Sequence, residues 1–273
     1  MIELFAQSVR RNERQSSKGN QLKWEKDGIW YKADYTGYEG LAEYVISHLL
    51  KKSTLNEDEF ACYDLEQIKY GTVIYNGAKS KNFLQGDWQI ITLERLFQNF
   101  FGESLYKNLY RIADHEERLK FLVQQVERMT GLQNVGIYMN KLLTIDAFFL
   151  NEDRHMHNIA VLMNGKGEYT LCPIFDNGAG LLSDTTMDYP LSEDIYTLID
   201  HVQAKTICSD FEEQLDISEA LYKGSIRFYF TKKDVSELLA RAEEYPEAIR
   251  NRVEKVIFEQ MRKYTYLFDK SMG

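Results

Sequence analysis

The sequence predicts an α+β fold with two lobes, a small β-rich lobe at residues 1–92 and a larger helical lobe at residues 93–273. Short alternating runs rich in Ile, Val, Tyr and Trp, which are typical of half-buried strands, cluster in the first part. From about residue 93 the apolar residues recur at helical spacing over longer segments. A strand–turn–strand pattern at residues 159–172 adds one hairpin to the helical part.

Composition describes a folded globular chain. Of the 273 residues, 44% are hydrophobic and 13% aromatic, and only 3 are Pro, which argues against a disordered arm. No run approaches the roughly 18 apolar residues of a membrane span. Residues 1–5 include no basic region followed by an apolar stretch. We therefore expect no membrane association, no secretory signal and a cytoplasmic location, with secretion by another route left open.

The net charge of −9 limits the partners. A general nucleic-acid surface would need clustered Lys and Arg to displace counterions, so we expect no direct nucleic-acid binding. ATP is not excluded, because local cations and magnesium decide phosphate binding. A protein substrate that is basic around its target residue would suit this charge.

The first elements along the chain are a small polar loop at residues 16–21 and a strand at residues 28–33. A loop beside a strand suits a phosphate lid, because unpaired backbone N–H groups can turn toward anionic oxygens. The loop has one Gly and no G-x-G-x-x-G pattern, so composition indicates a surface turn equally well.

A helix is predicted at residues 38–52, directly after the strand that carries Lys32. Its apolar face follows helical spacing and comprises Leu41, Tyr44, Val45, His48 and Leu49. A strand Lys followed by a helix Glu is the order of the ion pair at the ATP phosphates of protein kinases. Glu39 and Glu43 are i, i+4 neighbours, so either would reach Lys32. The simpler alternative is an exposed lysine and two surface glutamates.

Two further strands are predicted at residues 60–63 and 72–75, the second closed by Asn76-Gly77. They would complete a small sheet over which adenine could bind. Backbone groups at residues 63–68 would be placed to hold the adenine.

Helices follow at residues 93–101, 116–129 and 134–150, and later at 232–245 and 246–270. The helix at 134–150 has a broad apolar face, formed by Ile137, Leu142, Ile145, Phe148 and Phe149. This helix is expected to position the loop that follows it. Pro246 suits a helix start.

The segment at residues 151–158 contains a candidate catalytic base and a candidate metal ligand. Asn158 lies five positions after Asp153, the interval between the base and the metal-binding Asn of the kinase catalytic loop. A carboxylate can accept the proton of an acceptor hydroxyl, and an amide oxygen suits magnesium, which prefers hard oxygen ligands. The hairpin would return the chain so that Asp176 binds the metal from the other side. Asp176-Asn177-Gly178 would then replace Asp-Phe-Gly.

The pattern Asn151-x-Asp153-Arg154-His155-x-x-Asn158, followed by the segment at 172–176 that reads Cys-Pro-Ile-Phe-Asp, resembles the HipA-like serine/threonine kinases. The resemblance is to the compact, stand-alone CtkA type, without the extra N-terminal subdomain of the full-length toxins. It is close over about residues 140–180 and looser toward both ends. Phosphoinositide kinases also use Asp-Arg-His-x-x-Asn, so a phosphoinositide or small-molecule kinase is one alternative. A pseudokinase that acts as an interaction module is another.

The resemblance implies a protein-kinase-like fold and transfer of a phosphoryl group from ATP to Ser or Thr of a protein. Asp153 would be the base, Asn158 and Asp176 would hold Mg2+, and Lys32 would contact the ATP phosphates. Glu39 is favoured over Glu43 as the Lys32 partner, because it better matches the family's Asn-Glu helix start.

Two neighbours of the base complete the predicted catalytic residues. By resemblance His155 is a scaffold group, which is favoured over a role in proton transfer. Arg154 would offset repulsion among the surrounding carboxylates by its fixed positive charge.

The resemblance also gives the polar loop a role. The loop residues that would cover the ATP phosphates are Ser16, Ser17, Lys18 and Gly19. Ser16 or Ser17 would be the site of a silencing autophosphorylation. A toxin or effector role, with an antitoxin as partner, also follows from the resemblance.

Other interpretations concern metal ligands and loop acids. His155-x-His157 with Cys172 is compatible with zinc, but a fourth ligand is missing, so this remains the minor alternative. Cys62, Cys172 and Cys208 are expected to be ordinary buried thiols, because their number and spacing indicate neither a disulfide framework nor a CxxC pair. In the irregular stretch at 181–194, Asp184 and Asp188 are either contacts for a basic substrate or solvated loop acids, and the second interpretation is favoured.

Overall fold

The structure is a computed structural model that describes residues 1–5, 21–224 and 226–268. The predicted phosphate loop, with Ser16, Ser17, Lys18 and Gly19, lies outside the described residues. Two compact units alternate along the chain. The first comprises Met1–Phe83, Asp176–Val202 and Arg227–Gly273, and the second comprises Leu84–Phe175 and Gln203–Ile226. The predicted lobe boundary after residue 92 stays a prediction.

Strands and helices occur in the following order. The strands are β1 (Ile2–Leu4), β2 (Lys23–Lys26), β3 (Ile29–Ala33), β4 (Tyr63–Leu65), β5 (Ile68–Tyr70), β6 (Val73–Tyr75), β7 (Gly77–Lys81), β8 (Gln89–Thr92), β9 (Ala160–Met163) and β10 (Tyr169–Leu171). The helices are α1 (Glu39–Leu50), α2 (Leu93–Phe101), α3 (Leu105–Leu109), α4 (His115–Thr130), α5 (Val135–Phe149), α6 (Ile195–His201), α7 (Phe211–Tyr222), α8 (Lys232–Ala240) and α9 (Glu247–Lys263). A 3-10 turn follows at Thr265–Leu267.

The first unit contains two sheets, with strand orders β2-β3-β7-β4 and β1-β5-β6. The strand predicted at residues 72–75 exists as β6, but the expectation that it completes one sheet with the strand at 60–63 is wrong, because β4 and β6 belong to different sheets. A tight turn at Gly71, whose φ is +63°, pairs β6 with β5 as a hairpin. Strand β3 pairs with β2 and β7. The strand predicted at 60–63 begins only at Tyr63.

A buried cluster connects these two sheets. Its members come from β1, β2, β3 and β5 and are Leu4, Trp24, Tyr31, Ala33 and Ile68. Inward-facing apolar side chains at alternate positions supply this cluster, as expected for half-buried strands. The β3 strand is thereby fixed from both sheets.

Helix α1 is buried on almost every side. The elements that pack on it come from different parts of the sequence. It packs on β4, β7 and α8, and α8 packs on α9. The helices predicted at 38–52, 232–245 and 246–270 are therefore confirmed as α1, α8 and α9, although α8 ends at Ala240 and α9 at Lys263. Pro246 is the residue before the first turn of α9.

In the second unit α5 packs against α7 and α4, and α4 packs on α2. The predicted helices at 93–101, 116–129 and 134–150 are confirmed as α2, α4 and α5. Ile137 is 41% exposed, so it does not belong to the buried face of α5. The predicted hairpin is confirmed as β9–β10, and β8 adds a third strand. In the described part of the chain, no helix combines the length and apolarity that a membrane span requires.

Candidate active site

Lys32 of β3 lies at the centre of a buried charge cluster in the first unit. Its Nζ donates to Glu43 Oε1 at 2.5 Å and to Asp176 Oδ1 at 2.7 Å. The hydroxyl oxygen of Tyr63 accepts a longer bond at 3.4 Å. Burial lowers the pKa of Lys32, but the carboxylates of Asp176 and Glu43 raise it by more, so the net pKa lies well above its usual range. The side chain is therefore an ammonium ion at neutral pH.

The helix partner of Lys32 is Glu43, so the preference for Glu39 is corrected. Glu39 is the first residue of α1, and its carboxylate turns back to the preceding loop. Its Oε1 accepts from the Thr36 N–H at 2.8 Å and from the Thr36 hydroxyl at 2.7 Å. Its Oε2 accepts from the Tyr35 N–H at 3.1 Å. Glu39 thus satisfies donors near the helix N-terminus, whereas Glu43, one turn later, faces Lys32.

Two glycines allow α1 to approach the sheet closely. A Cβ on Gly77 would lie 2.1 Å from the carbonyl oxygen of Lys32, and a Cβ on Gly40 would lie 2.5 Å from the carbonyl carbon of Gly77. A side chain on Gly40 would force α1 and β7 apart, and a side chain on Gly77 would force β7 away from β3. The contact of Gly40 with Gly77 therefore brings Glu43 within reach of Lys32.

The Asp176-Asn177-Gly178 segment is attached to the same helix. Asp176 has a φ of +62°, a conformation uncommon for residues other than Gly. The Asn177 N–H donates to Glu43 Oε2 at 3.2 Å, so the two oxygens of Glu43 bind the lysine and this segment. Lys23 of β2 lies 3.7 Å from Asp176 Oδ1. Asp176 is therefore held between two cations.

The 151–158 loop of the second unit is held in place by Arg154 and Asp146. Asp146, in α5, is fully buried and accepts from Arg154 Nε at 3.0 Å and from Asn151 Nδ2 at 3.0 Å. Arg154 Nη1 donates to the carbonyl oxygens of Phe175 at 2.6 Å and Asn158 at 3.2 Å. Burial raises the pKa of Asp146 and Arg154 lowers it, with a net rise.

This geometry makes Arg154 a positioning residue. Its guanidinium is fully buried and its carboxylate partner is Asp146, which belongs to the scaffold. Its charge therefore offsets that of a structural acid. The hydroxyl of Thr206 donates to the Arg154 carbonyl oxygen at 2.7 Å, which fixes the loop from a second side.

Asp153 and Asn158 are joined by a local hydrogen bond. The Asn158 Nδ2 donates to the Asp153 carbonyl oxygen at 2.9 Å, so Oδ1 is the atom left to ligate a cation. Asp153 is 7% exposed. His155 Nε2 lies 3.9 Å from Asp153 Oδ1, and His155 Nδ1 accepts from the His157 N–H at 3.3 Å. That bond to the loop backbone is the kind of contact that a scaffold role requires.

The donor set suits magnesium. Asp176 offers carboxylate oxygens and Asn158 an amide oxygen, and both are the hard ligands that Mg2+ prefers. Asp176 belongs to the first unit and Asn158 to the second. The predicted convergence of Asp153, Asn158 and Asp176 on one ion stays a prediction.

The zinc alternative is not supported. Over residues 1–5, 21–224 and 226–268, the only group of three or more His, Cys, Asp and Glu side chains with donor atoms within 4.8 Å is His115, Cys208 and Glu213. Cys172 is buried at 1% exposure. Cys172 and Cys208 are buried free thiols as expected, while Cys62 is partly exposed.

The two loop acids differ. Asp188 is exposed, as the favoured interpretation expects. Asp184 is only 3% exposed and accepts from the Met187 N–H at 3.0 Å, so its expected solvation is wrong. The carboxylate closes a local turn instead of meeting solvent.

The sequence did not identify three residues that contact candidate site residues, namely Asp146, Lys23 and Tyr63. Asp146 gave a signal, since it is a lone acid within an otherwise apolar helix, eight positions before Arg154. Lys23 pairs across the strands with Lys32, and a register assignment for the β2–β3 hairpin would have identified it. Tyr63 gave no signal, because its proximity to Lys32 depends on the order of the sheet.

Comparisons with known proteins give the fold but no family. No protein-family model matches the chain. No curated protein matches it either. Among solved structures, the chain is similar to the crystal structure of a Helicobacter pylori proinflammatory kinase, CtkA, with a TM-score of 0.63. Sequence identity is 13%, and the match covers 97% of this chain and 96% of that chain.

The chain therefore has a kinase-like α+β fold, which confirms the predicted fold class. At this level of identity the similarity establishes the fold alone. Membership of the HipA-like family and the nature of the substrate are matters for proposal.

Proposed function

We propose that the protein is an ATP- and Mg2+-dependent serine/threonine protein kinase of the HipA-like type. The observation that carries the proposal is the buried ammonium of Lys32, bound by Glu43 and Asp176. A strand lysine paired with a helix glutamate is the arrangement that active protein kinases use at the ATP phosphates. The kinase-like fold supports the same conclusion.

The proposed roles follow from the chemistry of each side chain. Lys32 would contact the ATP phosphates, and backbone groups at 63–68 would hold the adenine. Asp176 and Asn158 would hold Mg2+, which supplies charge neutralisation at the phosphoryl oxygens when bound. Asp153 would orient the acceptor hydroxyl and accept its proton. Arg154 and Asp146 keep the loop in shape for that task.

A transfer assay with labelled ATP and magnesium tests the proposal. Basic proteins, phosphoinositides and small alcohols are offered side by side to the wild type, Asp153→Asn and Asp176→Asn. Asp188→Asn is the matched control, because Asp188 is an exposed acid outside the proposed site. We expect protein labelling that falls at least about 10²-fold in both site variants and is unchanged in the control.

Other outcomes separate the alternatives. Equal labelling by the wild type and both site variants contradicts the enzyme. Labelling of a lipid or a small alcohol alone contradicts the protein kinase and supports the small-molecule alternative. An ATP-induced rise in Tm without any transfer supports a pseudokinase.

Self-modification of the polar loop belongs to the same proposal. After incubation with ATP, intact mass should increase by one phosphoryl group, and the double variant Ser16→Ala/Ser17→Ala should remove the increase. Asp153→Asn is the control for transfer by the chain itself. An unchanged mass under conditions where a protein substrate is labelled contradicts self-silencing at these serines.

A toxin or effector role, an antitoxin partner and a cytoplasmic location complete the proposal. Expression of the wild type should slow growth of a bacterial host, and expression of Asp153→Asn should not. Co-expressed neighbouring genes that restore growth and co-purify with the chain would identify the partner. Equal growth with both forms contradicts the toxin role.

A further inference from the structure

A second cluster of ligating side chains, His115, Cys208 and Glu213, lies in the second unit outside the proposed kinase site. His115 is the first residue of α4, Glu213 lies in the first turn of α7, and Cys208 belongs to the loop before α7. Their donor atoms lie within 4.8 Å of one another. We propose that these three side chains form a binding site for a divalent transition metal of the zinc class.

The backbone around Cys208 is fixed against the helices that carry the other two donors. Arg118 of α4, only 6% exposed, donates to the carbonyl oxygens of Ile207 and Ile112. On the other side, Gln214 of α7 accepts from the Ile207 N–H at 3.3 Å. Cys208 is therefore held beside both helices by bonds that do not involve the cluster. A preorganised donor set reduces the ordering cost of binding.

The distances suit coordination after small rotations. His115 Nδ1 and Glu213 Oε1 lie 2.5 Å apart and share a hydrogen bond. Zinc ligands lie about 2.0–2.3 Å from the metal, so neighbouring donor atoms in a tetrahedral site are roughly 3–4 Å apart. The His115 and Glu213 side chains are 33% and 47% exposed, which leaves them room to separate and gives an ion access. Cys208 lies beneath them at 5% exposure.

The ligand types select the metal. Thiolate and imidazole favour zinc and similar transition metals over magnesium or calcium. Three protein ligands leave one position of a tetrahedral site for water. On binding, the Cys208 S–H proton passes to solvent and a metal–sulfur bond forms. That proton belongs to the thiol that now donates to the Asp210 carbonyl oxygen at 3.2 Å.

The simpler explanation is a surface His–Glu hydrogen bond beside a buried thiol. That explanation predicts no sulfur–metal bond under any condition. The two explanations therefore differ in a spectroscopic property.

Cobalt(II) titration of the metal-stripped full chain tests the proposal. A thiolate bound to Co2+ gives an ultraviolet charge-transfer band, and four-coordinate Co2+ gives intense visible d–d bands. We expect both at one equivalent and displacement by one equivalent of Zn2+. Oxygen ligands of a magnesium site give no thiolate band, so the result does not depend on the proposed kinase function.

Variants assign the ligands. Cys208→Ser should abolish the band, while Cys62→Ser, which removes a partly exposed thiol outside the cluster, should leave it unchanged. His115→Ala and Glu213→Gln should weaken Co2+ binding by about 10-fold or more, with His201→Ala as the control. Circular dichroism of each metal-free variant checks folding.

The proposal is overturned by any of three results. The results are the absence of a thiolate band at excess Co2+, a thiolate band that persists in Cys208→Ser, and a thiolate band that disappears in Cys62→Ser. If Cys208→Ser does not fold, His115→Ala and Glu213→Gln decide the question, and unchanged Co2+ affinity in both overturns the site.

Discussion

At the scale of single residues, Lys32 depends on two carboxylates from distant parts of the sequence. Glu43 comes from the helix that follows β3 and lies 11 positions after Lys32, whereas Asp176 lies 144 positions after Lys32. The lysine stays charged in a buried position because both acids compensate its desolvation. Removing one acid should therefore change both the free energy of unfolding and the rate of phosphoryl transfer.

Glu43→Gln keeps the shape of the side chain but removes its charge. Asp176 still holds Lys32, so we expect the free energy of unfolding to fall by about 1–3 kcal/mol. Phosphoryl transfer should also fall, because Lys32 loses one of its anchors. Glu39→Gln is the matched control: it should cost about 1 kcal/mol at the helix N-terminus and leave transfer near the wild-type rate. Urea unfolding and the transfer assay measure both, and a larger loss of transfer in Glu39→Gln contradicts the assignment.

Asp34, directly after β3, is a partly buried acid whose pKa is strongly shifted. Its Oδ1 accepts from the Gly40 N–H at 2.6 Å and its Oδ2 accepts from the Tyr245 hydroxyl at 2.8 Å. Burial, helped by the charge of Glu39, raises the pKa of Asp34 from 3.8 to about 7, although those two hydrogen bonds lower it. The folded protein therefore holds a proton here that the unfolded chain releases near pH 4.

The raised pKa of Asp34 makes the stability of the folded state depend on pH. Between about pH 4 and pH 7 the folded state binds more protons than the unfolded state, so this group's contribution to stability is lost as pH rises. Asp34→Asn mimics the protonated form, because its amide oxygen can accept from the Gly40 N–H and its Nδ2 can donate to the Tyr245 hydroxyl oxygen. We expect the wild type to lose stability relative to Asp34→Asn over that interval, by at most about 4 kcal/mol. Denaturant unfolding at several pH values measures this difference, and parallel pH profiles contradict it.

The order strand Lys then helix Glu was predictable, but the identity of the glutamate was not. Glu39 and Glu43 have the same helical phase, so periodicity cannot separate them. What separates them is the start of α1: Glu39 lies in the first turn and binds loop N–H groups. Asp153, Asn158 and Asp176 are predicted from their spacing, because one short loop and one hairpin fix their order, and their convergence on one ion stays a prediction. Asp146 was missed because its partner, Arg154, was read only as a neighbour of the base.

At the scale of elements, the contact of α1 with β7 decides the geometry around Lys32. This contact depends on glycines whose neighbours are backbone atoms, which cannot move aside as a side chain can. The apolar face of α1 predicts a buried helix, but it does not predict which elements pack against that helix. The β5–β6 turn places β6 in a different sheet from β4, and local pattern alone does not decide between such pairings.

Gly77→Ala should push β7 away from β3, the strand that carries Lys32. The added methyl would lie 2.1 Å from the Lys32 carbonyl oxygen, so we expect a loss of about 2–4 kcal/mol and weaker ATP binding. Gly165→Ala is the control, because its Cβ would meet only the flexible carboxylate of Asp87. Thermal unfolding and an ATP-binding titration measure the two effects. Equal stability of the two variants contradicts the role of the glycine contact.

At the scale of the whole molecule, the first unit draws on three separate segments of the sequence. The end of α1 is bonded to the last segment, since the Tyr229 N–H donates to the Lys52 carbonyl oxygen at 2.8 Å. The Lys52 ammonium pairs with Asp234 at 2.5 Å. The composition of the first 92 residues indicated a lobe, but such long-range bonds leave no local pattern.

A fragment of residues 1–92 should therefore not fold alone. Without α8, the part of α1 that packs on this helix stays uncovered, and Asp34 loses the Tyr245 hydroxyl. We expect no cooperative thermal transition and a poorly dispersed amide spectrum, with the full chain as the control. A cooperative transition in the fragment contradicts this expectation and supports an independent lobe at 1–92.

The interrupted path of the first unit also sets an order of events during synthesis. The chain emerges from the ribosome in sequence order, so the segments of the second unit are all available by residue 226, while α9 of the first unit follows only at 247–263. Helix α1 is synthesised long before α8 (Lys232–Ala240), the helix that packs on it. During that interval its apolar surface is a target for chaperones, and slow translation or early termination would leave it exposed to aggregation.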